Sequence, residues 1–94
     1  MKVFLTRRAE RNYNSIKEYI TKEWGQKTAE AFVNKADETF HLLESFPNMG
    51  PVESNDIRGF RLSRQTRILY RVKEQKIIVL SLFDVRQDPK KKPG

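Results

Sequence analysis

The sequence predicts an α+β domain of order β-α-α-β-β-β, in which an N-terminal helical hairpin packs on a largely antiparallel four-stranded sheet. Three observations predict it: two long stretches with apolar residues at helical spacing come first, a Pro/Gly-rich break follows, and the period then shortens to two. Ninety-four residues suffice for one modest core, so residues 1–94 are read as a single domain.

The run KVFLT, Lys2 to Thr6, is β-branched and aromatic and ends at a threonine able to cap a helix. Ala9, Tyr13, Ile16, Ile20 and Trp24 then form one apolar stripe, and Gly25 stands where a left-handed residue ends a helix, so the first helix is predicted over Arg7 to Trp24. A second stripe runs through Ala29, Phe32, Val33, Ala36, Phe40, Leu43 and Phe46, and Pro47 stops it. The short link at Gly25 folds the two helices into an antiparallel pair. Their remaining residues, such as Lys17, Glu18, Lys22, Glu30, Lys35 and Asp37, mix both charges as a solvated face does.

PNMGPVESNDIRG, Pro47 to Gly59, is predicted as a loop in which Gly50 and Gly59 serve turns. Beyond it Phe60 and Leu62 alternate with Arg61 and Ser63, and Ile68, Tyr70 and Val72 alternate with Arg67 and Arg71. KEQK, Lys73 to Lys76, is a hairpin turn, and IIVLSLF, Ile77 to Phe83, is continuous enough for a central strand buried on both faces. The polar tail of about 88–94 is expected to be mobile until something binds it.

Composition narrows the function classes. The chain has no cysteine, which excludes disulfides and thiolate metal sites. Only three consecutive apolar residues precede the basic N-terminal stretch, and no segment approaches a membrane-spanning length, so a cytoplasmic protein without membrane contact is expected. His41, the single histidine, lies in the second helix and is read as a packing or solvated residue rather than a catalytic base. No cofactor or metal motif is present, and Asp84 beside Arg86 is read as a structural ion pair or turn cap.

The charge is lopsided. Residues 1–57 hold eight Lys/Arg and nine Asp/Glu, whereas residues 58–92 hold eleven Lys/Arg against Glu74, Asp84 and Asp88. If Phe60, Leu62, Ile68, Tyr70 and Val72 face the helices, strand geometry sends Arg61, Arg67 and Arg71 to the other face. Arg86 and Lys90, Lys91 and Lys92 are expected at the rim of that face. Forked guanidinium donors suit phosphate or carboxylate oxygens, so an RNA backbone or an acidic protein segment is the expected partner. Arginines on a sheet face often serve only solubility and edge protection. Arg67 and Arg86 are read as functional because a lysine would solubilise equally well at their positions, while Arg58 and Arg64 are read as loop and turn residues.

LLESFPNMGP followed by RLSRQTRILYRV, the strand IIVLSLF and the closing DVRQDP resembles the RelE/ParE superfamily of bacterial toxins from type II toxin–antitoxin modules, over essentially the whole chain. The resemblance implies a small toxin held silent in a hetero-oligomer by a cognate antitoxin, whose extended or helical segment covers the basic surface and helix grooves. RelE-like members enter the ribosomal A site and cut mRNA with clustered basic residues. By position, Arg67 matches the strand arginine that stabilises charge at the scissile phosphate, Arg86 the arginine after the last strand, and Arg61 a place where the family often has lysine. Nuclease relatives carry a His or Tyr near the chain end, where this sequence has Asp84 and then QDPKKKPG. The FPNMG exit from the hairpin is similar to the ParE-like branch, whose members poison DNA gyrase. Gyrase poisoning is therefore the preferred expectation. A ribosome-dependent endoribonuclease, with Lys90–Lys92 replacing the missing acid, is the alternative, and a degenerate, non-toxic antitoxin-binding domain is a further one.

Overall fold

A computed structural model describes residues 1–87. The expected tail with Lys90, Lys91 and Lys92 lies outside the described residues. The chain runs β1 (Lys2–Leu5), α1 (Arg7–Trp24), α2 (Gln26–Ser45), β2 (Val52–Ser54), β3 (Ile57–Arg61), β4 (Thr66–Lys73) and β5 (Lys76–Asp84), closing with a 3₁₀ turn over Val85–Gln87.

The first helix begins where its cap predicts. Thr6 Oγ1 accepts from the Ala9 N–H at 3.1 Å and donates to the Leu80 carbonyl at 3.1 Å, fixing the helix start to β5 as well as to itself. Gly25 ends the helix at φ 94°, a conformation that costs glycine nothing. The chain then reverses at once into α2, and Tyr13 meets Phe32 across the hairpin with ring centroids 5.4 Å apart. Ile16, Ile20, Phe32, Ala36 and Leu43 lie buried against Ile68, Tyr70, Ile77, Val79 and Leu82 from the sheet, forming the core.

Among the described residues the sheet has five strands rather than the expected four, in the order β1-β5-β4-β3-β2, with β1 parallel to β5 and the other pairs antiparallel. The extra strand, β2, lies inside the expected loop and is exposed along all three residues. It exists through pairing with β3, not through burial, and so leaves no period-two signature. β3 likewise begins at Ile57, before the expected loop end.

β5 is not buried on both faces. Ile77, Val79, Leu82 and Asp84 face the helices, while Ile78 is half-buried and Phe83 is 51% exposed on the other face. The pairing of Leu69 with Ser81 but of Tyr70 with Val79 makes Leu80 a bulge residue. That single extra residue reverses the alternation, without which Leu82 and Asp84 would point outward. β1 ends at Leu5, and α1 covers the β5 edge beyond it: Thr6 N–H donates to the Val79 carbonyl at 3.1 Å and Asn12 Oδ1 accepts from Leu82 N–H at 3.1 Å.

Two stripe residues leave the core. Trp24, at the hairpin tip, is 51% exposed and meets Tyr19 with centroids 5.8 Å apart, and Phe46, at the end of α2, is 60% exposed. Both occupy the last position of their stripe, where the helices have no further layer of the core cluster to meet.

Candidate functional site: the outer face of the sheet

The two faces of the sheet differ because β3, β4 and β5 alternate. Thr66, Ile68 and Tyr70 are buried beneath the helices, and Arg67, Leu69, Arg71 and Lys73 project the other way. Cross-strand neighbours share a face, so the register lays out the outer surface in four rows. Lys2, Lys76 and Lys73 form the first; Phe4, Ile78 and Arg71 the second; Ser81, Leu69 and Gly59 the third; Phe83, Arg67 and Arg61 the fourth. The expected gathering of Arg61, Arg67 and Arg71 is therefore present, with Arg61 directly opposite Arg67.

Two of these arginines already hold carboxylates. Arg67 Nη2 pairs with Glu53, which reaches from β2 over Gly59. A Cβ at Gly59 would collide with the Glu53 carboxylate and stand 2.6 Å from Arg67 Nη2, so the bare glycine is what lets the pair close over β3. Gly59 is thus a strand residue with a packing role, not the turn residue its type suggests. Arg71 Nη2 lies 3.2 Å from Asp56 Oδ1, and Arg71 Nε is buried without a hydrogen-bond partner. Arg61, Lys2, Lys73 and Lys76 have no ion-pair partner among the described residues. Met49, Pro51, Glu53, Gly59, Phe60, Arg61 and Arg67 line an open cleft of about 330 Å³ beside the fourth row.

Arg86 does not join this face. Its guanidinium forks onto Asp84, with Nε to Oδ1 at 2.9 Å and Nη2 to Oδ2 at 2.7 Å, and its N–H also donates to Oδ1 at 2.9 Å. The Thr66 hydroxyl donates to Asp84 Oδ2 at 2.6 Å. Burial pushes the Asp84 carboxyl up, but the Arg86 guanidinium, the Thr66 hydroxyl and the Arg86 N–H together outweigh it and hold it below its ordinary value. Because the bulge turns Asp84 inward, Arg86 follows it to the helix side, where it lines a hollow with Phe32, Lys35 and Leu62. The ion pair expected from sequence is present; the expected place of Arg86 on the outer rim is not.

Arg58 also departs from its loop reading. It shares the inner face with Tyr70 and donates from Nη1 to the carbonyls of Asn48 at 3.1 Å and Gly50 at 2.7 Å, tying down the exit from α2. His41 is exposed on α2, away from the sheet rows. Sequence reasoning missed the lysine row and the aromatic pair Phe4 and Phe83. Alternation within KVFL places Lys2 and Phe4 on one face, but only the parallel pairing with β5 sets them beside Lys76 and Ile78. Among the described residues, no group of His, Cys, Asp or Glu is arranged to hold a metal. Chemically, the face offers fixed guanidinium and ammonium groups that bind anions and stabilise negative charge.

A two-helix hairpin on one side of such a sheet recurs in solved toxin–antitoxin proteins. A chain of the chromosomal ParDE system from P. aeruginosa matches with a TM-score of 0.76 and 25% identity, over 89% of this chain and 95% of that one. The YoeB/ParE toxin from Agrobacterium tumefaciens matches with a TM-score of 0.66 and 18% identity over 89% and 98%. The RelBE2 toxin–antitoxin complex from Mycobacterium tuberculosis contains a chain that matches with a TM-score of 0.62 and 20% identity over 88% and 95%. The architecture is thus that of the RelE/ParE class of type II toxin–antitoxin toxins. Within that class, the model of the ParE toxin of the type II toxin–antitoxin system parDE matches residues 3–89, and the chain belongs to the ParE toxin family. Toxin ParE3 of Caulobacter vibrioides is 30% identical over 66 residues, which are 68% of this chain and 66% of that protein, so the match spans about two thirds of either length.

Proposed function

We propose that this protein arrests growth by poisoning DNA gyrase and that a cognate antitoxin neutralises it in the cytoplasm. The observation that carries the reading is the family match over residues 3–89, joined to the state of the two arginines on which RNA cleavage would lean most. Arg67 is answered by Glu53 and Arg86 by Asp84, so both are engaged within the chain. The outer face presents cations for binding, and no imidazole accompanies them among the described residues. A binding toxin needs only such a surface, whereas RNA cleavage also needs proton transfer at the attacking and leaving oxygens. The antitoxin partner is supported by the toxin–antitoxin systems among the structural relatives.

Purified protein added to gyrase and relaxed plasmid tests this reading directly. The expected result is loss of supercoiling with accumulation of cleaved gyrase–DNA complexes. Uninhibited supercoiling by a preparation that still stops growing cells would overturn it.

One observation favours a second reading. Arg61 and Arg67 face each other beside an open cleft, and displacement of Glu53 would leave two guanidiniums for a scissile phosphate. Discrete mRNA breaks on programmed ribosomes, lost in Arg67→Ala, would identify a ribosome-dependent endoribonuclease.

A further inference from the structure

A second group of cations lies apart from the sheet rows, on the solvent side of α1. Arg7, Arg8 and Arg11 are exposed at the start of that helix, and none has an ion-pair partner among the described residues. Helical spacing makes Arg7 a neighbour of Arg11 and puts Arg8, Arg11 and Ser15 on one face, away from the buried Ala9 and Ile16. Ser15 Oγ accepts from Gln87 Nε2 at 3.0 Å, so residue 87 lies beside the same face. Lys90, Lys91 and Lys92 follow within five residues, and chain length alone keeps them within about 18 Å of Gln87.

The fold does not call for cations here. The first turn of a helix carries partial positive charge and favours carboxylates. Like charges three and four residues apart on a helix repel each other. Glu10, the one carboxylate between Arg7 and Lys17, makes no ion pair with any of the three arginines. Their placement therefore works against the stability of α1, and an external anion is what answers it.

The rest of the face selects that anion. Every exposed residue of α1 from Arg7 to Glu18 is charged or polar, so a protein partner finds no apolar or aromatic anchor there. A single-stranded nucleic acid finds no exposed ring on which a base can stack. A duplex backbone needs neither. Its phosphates accept from guanidinium forks and from Ser and Asn side chains, and Asn14 and Ser15 supply these one turn beyond Arg11.

We propose that the face of α1 formed by Arg7, Arg8 and Arg11 binds the backbone of duplex DNA without regard to sequence, and that the duplex held by gyrase is its natural ligand. The choice of natural ligand rests on the gyrase reading, whereas the surface itself rests on α1 alone.

Fluorescence anisotropy with the full chain, a short labelled DNA duplex and a single-stranded RNA of the same length tests the surface. The triple variant Arg7→Gln, Arg8→Gln, Arg11→Gln is expected to bind the duplex at least about tenfold more weakly, and the slope of log affinity against log salt should fall by about two to three. Its thermal midpoint should hold or rise, because the substitutions relieve repulsion at the helix start. The control Lys17→Gln, Lys27→Gln, Lys35→Gln removes the same charge elsewhere on the hairpin and should weaken binding by less than about threefold. Equal weakening by the two triple variants, or tighter binding of the RNA than of the duplex, overturns the proposal. A midpoint lowered by several degrees in the arginine variant would show that these residues serve the fold, and overturns it as well.

A supercoiling assay separates this inference from the gyrase reading. Inhibition of gyrase by the arginine variant at wild-type potency preserves that reading and overturns the DNA contact within it. A loss of potency of at least about tenfold, matching the loss of duplex affinity, supports both. A wild-type chain that binds duplex through these arginines yet leaves gyrase uninhibited refutes the gyrase reading and keeps the surface, with a different duplex as its ligand.

Discussion

Tyr70 and Gly50 close against each other in the core: the phenolic oxygen accepts from the Gly50 N–H at 3.0 Å and donates to the Pro47 carbonyl at 2.8 Å. Tyr70 is fully buried, so these bonds replace water that the hydroxyl and the two backbone groups have lost. Tyr70→Phe keeps the ring and leaves Gly50 N–H and the Pro47 carbonyl without this partner. A loss of about 1–3 kcal/mol is expected, read as a lower urea midpoint at unchanged slope.

Gly50 contributes to the same contact by what it lacks. A Cβ there would stand 2.7 Å from the Gly59 carbonyl oxygen and 2.9 Å from the Tyr70 hydroxyl, and the first of these is backbone that cannot rotate away. Gly50→Ala should therefore cost about 1–3 kcal/mol, an overpacking penalty visible as a fall in thermal midpoint. An unchanged midpoint would show that the loop exit yields freely.

The Asp84 carboxylate gives the fold an acid limit. Its folded-state pKa lies below its unfolded value, so it contributes stability that is fully present above the unfolded pKa of about 3.9. That contribution is lost as pH falls through the lower, folded value. Asp84→Asn removes the charge-assisted bonds to Arg86 and should cost about 3 kcal/mol at pH 7. Urea midpoints measured from pH 7 down to pH 3 should fall less steeply for Asp84→Asn than for wild type; parallel curves would assign the acid sensitivity to other carboxylates.

Glu53 acts as an internal counter-ion for Arg67. Both side chains are about half exposed, so Glu53→Gln should change stability by less than about 1 kcal/mol. It should nonetheless raise the salt concentration needed to elute the protein from heparin. Glu38→Gln, which makes the same charge change beside Lys35 on α2, is the control and should shift elution less. Equal shifts would mean that net charge alone governs retention.

The turn between β4 and β5 is strained in a way that substitution can relieve. Glu74 and Gln75 have φ of 52° and 63°, the pair of left-handed residues that a two-residue hairpin turn requires. Neither side chain favours it, and glycine adopts it without steric cost. Gln75→Gly should stabilise the protein by about 0.5–1 kcal/mol, measured as a higher thermal midpoint.

Both helices, their hairpin and the inward set of β4 were legible in the sequence, because burial writes its period directly into the order of residues. What escaped was set by pairing between strands. β2 is exposed throughout and exists only through β3, so no apolar pattern announced it. The Leu80 bulge reverses the second half of β5 and carries Asp84 and Arg86 to the helix side, which strict alternation could not anticipate. The outer face was half legible. Arg61, Arg67 and Arg71 followed from alternation on neighbouring strands, but the lysine row needed the parallel register that brings residue 2 beside residue 76.

That register also orders events in time. β1 pairs with β5, which follows the other four strands of the sheet, and Ile77, Val79 and Leu82 complete the core from it. As the polypeptide emerges from synthesis, the helical hairpin can form early from local contacts, but its apolar stripe waits for strands that are made after it. A chain stopped before Lys76 has neither the neighbour that β1 needs nor the sheet edge that Thr6 and Asn12 cover. Products terminated before β5 should therefore stay open and be degraded, so that only molecules extended past Asp84 present the cationic surface at all.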